Sequence, residues 1–174
     1  MRAGALGLAV FCAALAACSP ELDWRQLSVP EARFSVLLPG KARSESRTLG
    51  TGPGAVVMTM HAYSLQRGTM GVAYTDYPPA VLAADGARAQ MNAARDTLLR
   101  NISGSVRSEE DVIIDGISGR QIYAEGRAGT DDAILKARFV AVGGRLYQIA
   151  YVGAKDGPAM ADVDMFLTSF KLLK

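Results

Sequence analysis

Two runs of β-forming residues, Ala133 to Val142 and Arg145 to Val152, are separated by Gly143-Gly144 alone. Two glycines supply the positive φ angles of a two-residue hairpin turn, so the runs are expected to pair antiparallel. The first run is apolar at both parities: Leu135, Ala137 and Phe139 alternate with Ile134, Val140 and Val142. Successive side chains of a strand point to opposite faces. A sheet with one face in water reads polar at every second position, so this sheet is expected to be covered on both faces, at least in part.

The rest of the chain adds further strands and two helices. Trp24 to Leu27 reads as a short strand, Ser28-Val29-Pro30-Glu31 as a turn, and Arg33 to Leu38 as a strand stopped by Pro39-Gly40. Lys41 to Gly54 is polar and rich in Gly, Ser and Arg, which predicts a mobile loop with at most an edge strand. Ala55 to Ser64 and Thr69 to Thr75, with Gln66-Arg67-Gly68 between them, form a hairpin pattern ended by Tyr77-Pro78-Pro79. From about Val81 or Asp85 to Asn101 the period becomes helical. Ala87, Met91, Ala94 and Leu98 make one stripe, with Asp85 as N-cap and Asn101 and Gly104 suited to the exit. Ser105 to Ile114, the Asp115-Gly116 turn and Gly119 to Glu125 continue the strand pattern. A last helix is expected from Pro158 in its first turn to Phe170, with Met160, Val163, Phe166, Leu167 and Phe170 on one face. Strands, helix, strands and helix joined by hairpins give an α+β chain with a mainly antiparallel central sheet.

The N-terminus is different in kind. Met1 and Arg2 carry positive charge, and Ala3 to Ala14 has none. Signal peptides have an apolar stretch of about 7–15 residues, too short for a bilayer core that needs roughly 20. Leu15-Ala16-Ala17-Cys18 follows and resembles a lipobox, where bacterial signal peptidase II cuts and the new N-terminal cysteine is lipidated. The competing site, Ala14-Leu15-Ala16, satisfies the small-x-small rule for ordinary signal peptidase and would release a soluble protein. The lipobox is the more specific match, since it needs both Cys18 and a leucine three residues before it. The expected organisation is a removed leader over 1–17, a lipidated N-terminus and short tether over 18–22, and one domain over 23–174. In the enterobacterial scheme that this resemblance imports, Asp after the cysteine retains a lipoprotein in the inner membrane. Ser19 stands here and favours the outer membrane, facing the periplasm.

Lipidation bounds the chemistry of the domain. Cys12 would leave with the leader and Cys18 would become a thioether, so neither cysteine of the chain would serve a disulfide, a metal or a redox step. A domain of this size can bury roughly 70% of its unfolded surface and must stand on that core alone. Loss of Arg2 from the 19 basic residues leaves 18 against 17 acidic, and no basic stripe stands out, which argues against nucleic acid. About four residues at ~3.5 Å each let the tether span at most ~14 Å, so the domain should sit close to the headgroups.

Candidate catalytic groups are few. His61 is the only histidine; with Asp76 as orienting partner and Ser64 as nucleophile it could serve a hydrolase. No Gly-x-Ser-x-Gly elbow supports that arrangement, and a half-exposed strand histidine is the simpler reading. No second histidine exists for zinc, so no metal and no cofactor are expected. Glu109-Glu110-Asp111, Asp131-Asp132, Asp162 and Asp164 could perform acid–base work or bind calcium. Adjacent acids on a strand point to opposite faces, however, and Asp131-Asp132 falls in an expected turn. Gly50, Gly52 and Gly54 precede β-forming residues rather than a helix, so they read as a flexible loop, not a phosphate cradle. Tyr63, Tyr74, Tyr123, Tyr147 and Tyr151 fall on strands and read as core, though some could line a groove between sheet and helix.

Phe34-Ser35-Val36-Leu37-Leu38-Pro39-Gly40-Lys41 resembles the "F-x-V-x-x-P-G-K" opening of a group of small bacterial proteins. Tyr74-Thr75-Asp76, Leu98-Leu99-Arg100-Asn101, Gly119-Arg120, Arg138-Phe139-Val140, Gly144 to Gln148 and Phe166 to Leu172 extend the likeness over nearly all of the mature chain. Together these segments are similar to uncharacterised bacterial domains of the PsbP/Mog1/DcrB-like kind. The resemblance implies an α/β/α sandwich around a central antiparallel sheet. Its members include accessory proteins of photosystem II, a binder of the small GTPase Ran and envelope lipoproteins, and it carries no shared catalytic motif. The function expected is a membrane-anchored, non-enzymatic binding or accessory module with a protein or envelope partner. A carrier of small apolar ligands, with a pocket between sheet and the Val81–Asn101 helix, and a hydrolase using His61 are the alternatives.

Overall fold

The computed structural model describes residues 22–78 and 86–174. The leader, Cys18, Ser19 and the helix start expected at Val81 or Asp85 lie outside the described residues. In chain order the elements are β1 (Arg25–Val29), β2 (Phe34–Leu38), β3 (Arg43–Leu49), β4 (Val56–Leu65), β5 (Gly68–Asp76), α1 (Gly86–Asn101), β6 (Ser105–Ile114), β7 (Ile117–Ala128), β8 (Asp131–Val142), β9 (Arg145–Ala154), α2 (Met160–Thr168) and β10 (Lys171–Leu172). Single 3-10 turns at Pro30–Ala32 and Gly52–Gly54 precede β2 and β4.

Gly143-Gly144 closes the β8–β9 hairpin with φ of 59° and 98°, and Asp115-Gly116 closes β6–β7 with 50° and 84°. Both turns place positive φ at their two central residues, the twist that matches flanking antiparallel strands. Hairpins of this kind build a seven-stranded antiparallel sheet in the order β3-β4-β5-β9-β8-β7-β6. β2 leaves this sheet and pairs with β1 on one side and β10 on the other, making a second, three-stranded sheet.

Both faces of the large sheet are covered, as the double apolar pattern of β8 requires. Leu135, Ala137 and Phe139 pack with Met91, Ala94 and Ile102 of the α1 segment, and with Ile122 and Ala124 of β7. Ile134 and Val140 face the other way, into a core shared by Val29, Phe34 and Val36 of the small sheet and Val163, Phe166 and Leu167 of α2. The layers are thus α1, the large sheet, and α2 together with the small sheet.

Several details depart from the sequence expectations. Arg43–Leu49 is a full edge strand rather than a loop; its first six residues are exposed, so no burial period marks it. Charged side chains along such an edge also discourage pairing with another chain. α2 begins at Met160, so Pro158 lies before the helix, and Met160 stays 39% exposed instead of joining the buried face. Asp131 and Asp132 open β8 rather than occupying a turn, and β7 starts at Ile117.

Phe34 ties the layers together. It is fully buried and lies 5.7 Å from Phe170, 5.9 Å from His61, 6.1 Å from Tyr147 and 6.2 Å from Tyr74, measured between ring centroids. Phe34→Ala should therefore lower the unfolding free energy by about 3–5 kcal/mol, the usual cost of a large aromatic truncation in a core. Urea denaturation would show it, and a loss below about 1 kcal/mol would mean that the site collapses around the missing ring.

Candidate functional site

α1 crosses the β7, β8 and β9 half of the large sheet, and no other described element covers the β3–β5 half of that face. The stripe of α1 shows the division. Met91 and Ala94 are buried, whereas Leu98 is half-buried, packed against the same core on one side and forming the groove wall on the other. The result is an open groove of about 380 Å³. Met58 and Met60 of β4, Ala73 of β5 and Gln148 of β9 line its sheet side. Ala94, Thr97, Leu98 and Asn101 form the helix wall, Glu45 and Arg47 the outer rim, and Tyr77 one end. Burial pushes the Tyr77 hydroxyl above its ordinary titration range.

The chemistry of the groove suits apolar contact. Ligand sites of this volume are lined mostly by apolar side chains with a few polar groups that fix orientation. Two methionines add an adaptable, polarisable surface. Thr97, Asn101 and Gln148 offer hydroxyl and amide groups, and neither of the rim charges, Glu45 and Arg47, has an ion-pair partner among the described residues.

His61 lies on the opposite face of the sheet from this groove. Its ring stacks on Tyr74 at 6.2 Å and 14°, edge-on to Phe34. Nε2 is buried without a hydrogen-bond partner among the described residues. Ser64, three residues along β4, points to the other face. Asp76 is held instead by Arg145, whose Nε and Nη2 donate to its two carboxylate oxygens at 2.6 and 2.8 Å. The His61–Asp76–Ser64 arrangement considered for a hydrolase is therefore not assembled.

The acidic residues also separate. Glu109 faces α1 and accepts from Arg95 at 3.0 Å and pairs with Arg120 at 2.9 Å, while Glu110 accepts from Gln121 at 2.8 Å on the other face. Asp164 pairs with Lys136, and Asp131 lies 3.9 Å from Arg67. The contacts of Glu109, Asp164 and Asp131 are structural ion pairs between neighbouring elements, and that of Glu110 is a cross-strand hydrogen bond. Gly52 and Gly54 sit in a 3-10 turn between β3 and β4, with no helix N-terminus behind them. Tyr147 and Tyr151 are core residues whose hydroxyls donate to backbone carbonyls, Tyr147 to Ala32 at 2.9 Å and Tyr151 to Ala154 at 3.1 Å. Tyr63, Tyr74 and Tyr123 pack at the margin of the same core. The groove lies between sheet and helix, as the sequence suggests, but Met58, Met60 and alanines line it rather than Tyr63, Tyr74, Tyr123, Tyr147 or Tyr151.

Desolvation holds His61 below its ordinary value of 6.5, against the opposing negative charge of Glu31. The folded chain thus favours the neutral ring, and the unfolded chain binds the proton more readily. The stability this contributes is present above pH 6.5 and is lost as the pH falls below that value through the folded-state titration. His61→Phe keeps an aromatic ring against Phe34 and Tyr74 and does not titrate. It should flatten the fall of unfolding free energy between about pH 7 and pH 5. An identical pH slope in both proteins would assign the titration to another group.

No family model matches the sequence, and no curated protein sequence matches it. Among solved structures, the solution structure of cyanobacterial PsbP (CyanoP) from Synechocystis sp. PCC 6803 superposes with a TM-score of 0.55 at 16% identity, over 86% of this chain and 92% of that one. A structure from Bacteroides thetaiotaomicron has a TM-score of 0.49 at 12% identity, over 86% of this chain and 48% of that one. A Pseudomonas aeruginosa protein of unknown function has a TM-score of 0.39 at 10% identity, over 76% of this chain and 83% of that one. The likeness to CyanoP shows a PsbP-like α+β fold.

Proposed function

We propose that this chain is a lipid-anchored accessory module of a bacterial cell envelope, which binds a protein or envelope component and carries out no reaction of its own. The observation that carries the binding reading is the open, methionine-floored groove beside α1, together with the scattering of His61, Ser64 and Asp76 away from one another. The PsbP-like fold supports it through the resemblance, which brings accessory proteins and no shared catalytic motif. The anchor rests on Leu15-Ala16-Ala17-Cys18, and Ser19 favours the outer membrane. Two or more acyl chains bind a bilayer stably where one binds marginally, so a lipid on Cys18 would hold the domain without any apolar protein surface.

Metabolic labelling with a fatty acid tests the anchor. The wild-type chain should take up label and Cys18→Ser should not; equal incorporation overturns lipidation. Crosslinking in intact cells should then recover a partner above the Cys18→Ser background, and recovery of none counts against the accessory role.

The groove favours a second reading as a carrier of a small apolar ligand. Ala93 is exposed at its edge, so Ala93→Trp would lay a ring across the mouth without touching the core. On this reading the substitution weakens binding of a fluorescent fatty-acid analogue by about tenfold or more, equivalent to about 1.4 kcal/mol. Unchanged binding removes the groove as the site.

A further inference from the structure

The large sheet ends in two edge strands, β3 and β6, and they are built differently. β6 carries a bulge between Val106 and Ser108 and the run Glu109-Glu110-Asp111. A second copy laid antiparallel against that run would meet carboxylate with carboxylate. Bulges and charges are the usual protection of an edge. β3 has no bulge and carries both signs of charge. All seven of its residues keep a regular register with β4, from Arg43↔Ala62 to Leu49↔Val56. Arg43 to Thr48 are exposed, so neither face of the strand is covered by another element. Among the described residues the β3 backbone is hydrogen-bonded to β4 alone.

The strand Arg43-Ser44-Glu45-Ser46-Arg47-Thr48-Leu49 is complementary to itself in one register. Two copies joined antiparallel about a two-fold axis normal to the sheet turn the same face up, so only residues of like parity meet. With the axis at Ser46, Glu45 of each copy stands opposite Arg47 of the other, Ser44 opposite Thr48, and Arg43 opposite Leu49. With the axis at Glu45, the two glutamates meet and Arg43 meets Arg47. With the axis at Arg47, the two arginines meet. With the axis at Ser44, Arg43 meets Glu45 but Arg47 meets Lys41. Opposite charges directly across a ladder attract, and like charges there destabilise it. The charges that discourage pairing in the other registers therefore select the one centred on Ser46. Neither Glu45 nor Arg47 has an ion-pair partner among the described residues, so no existing pair is broken to form it.

We infer that a second copy of this chain docks on the β3 edge in the register centred on Ser46, joining the two large sheets into one. The pairing depends on β3 alone, not on lipid at Cys18 or on what the groove binds. Glu45 and Arg47 also form the outer rim of the groove. Because the axis is normal to the sheet, both grooves open on the same face, on either side of a seam made by the two Glu45–Arg47 pairs. α1 lies over β7, β8 and β9, far from this edge, so neither copy's helix obstructs the approach. The strand offers seven residues a side, where a standard interface uses about 20–30. The dimer is therefore weak and reversible, with a dissociation constant between about 10 μM and 1 mM.

Density-matched sedimentation equilibrium of the full chain in a mild detergent, over that concentration range, tests the pairing. The wild type should show a monomer–dimer equilibrium. Glu45→Arg sets an arginine opposite Arg47 and should weaken dimerisation by about tenfold or more, equivalent to about 1.4 kcal/mol. Adding Arg47→Glu to that variant restores opposite charges across the axis in the register centred on Ser46, and in that register alone. The doubly substituted chain should therefore dimerise within about threefold of the wild type. Both positions are exposed, and circular dichroism of each variant should match the wild type. A chain that stays monomeric throughout the range overturns the docking edge. Dimers that Glu45→Arg leaves unchanged, or that the double substitution fails to restore, overturn the register. Species larger than a dimer that Glu45→Arg abolishes overturn the two-fold closure, because a head-to-tail contact leaves an edge free to continue.

Discussion

The ring of Phe34 touches the large sheet through His61 of β4, Tyr74 of β5 and Tyr147 of β9, and touches the end of the α2 segment through Phe170. Paired aromatic rings contribute about 0.5–1.5 kcal/mol each beyond the area they bury, so one side chain gathers several such terms. Its backbone does as much. Phe34 pairs with Val29 of β1 and with Leu172 of β10, and Ser169 Oγ accepts from the Leu37 N–H at 2.9 Å. The first and last strands of the domain are thus held by the same strand, β2. Without a disulfide among the described residues, this closure takes the place of a covalent staple.

The two faces of the large sheet are covered to different extents, and that asymmetry generates the groove. On one face the small sheet and α2 together cover a core that spreads from Ile114 of β6 and Val140 of β8 to Met70 of β5. On the other face α1 is the one helix among the described residues, and it lies over the β7–β9 half. It buries Leu135, Phe139 and Ile122 beneath it, and β3 and β4 extend past its reach. Methionine and alanine stand where a second helix would require larger packing residues. The groove is therefore a consequence of one helix on a seven-stranded sheet rather than of any special motif.

What was legible in the sequence follows from the range of the interaction that fixes each element. The β6–β7 and β8–β9 hairpins were readable because Asp115-Gly116 and Gly143-Gly144 solve a local torsional problem. The covered faces were readable from the apolar double parity of β8. β3 was not, because an edge strand exposed on both faces has no burial pattern and differs from a loop only in having β4 as neighbour. β10 consists of two residues and exists through pairing with β2, a partner far away in the chain. The separation of β2 into its own sheet has the same origin. On the face away from the groove, the half-buried strand setting of His61 was legible, but its stacking on Tyr74 was not, since that contact depends on the β4–β5 register.

The groove runs with the strands, from Tyr77 and Leu49 at the end away from the N-terminus to Asn101 and Glu45 near the end where the chain enters. α1 runs the same way, with its last turn at the end where the chain enters. On the anchored reading proposed above, the tether would enter at the Asn101 end, and that end of the groove would lie nearer the headgroups. An apolar segment, whether an acyl chain or part of a membrane-proximal partner, would pass from lipid into the groove without a stretch of water between them. The energetic barrier to such transfer is the exposure of apolar surface, about 25 cal/mol per Å², so continuity between bilayer and groove matters more than the depth of the groove. If Cys18 is lipidated as proposed, a longer tether would lose that continuity.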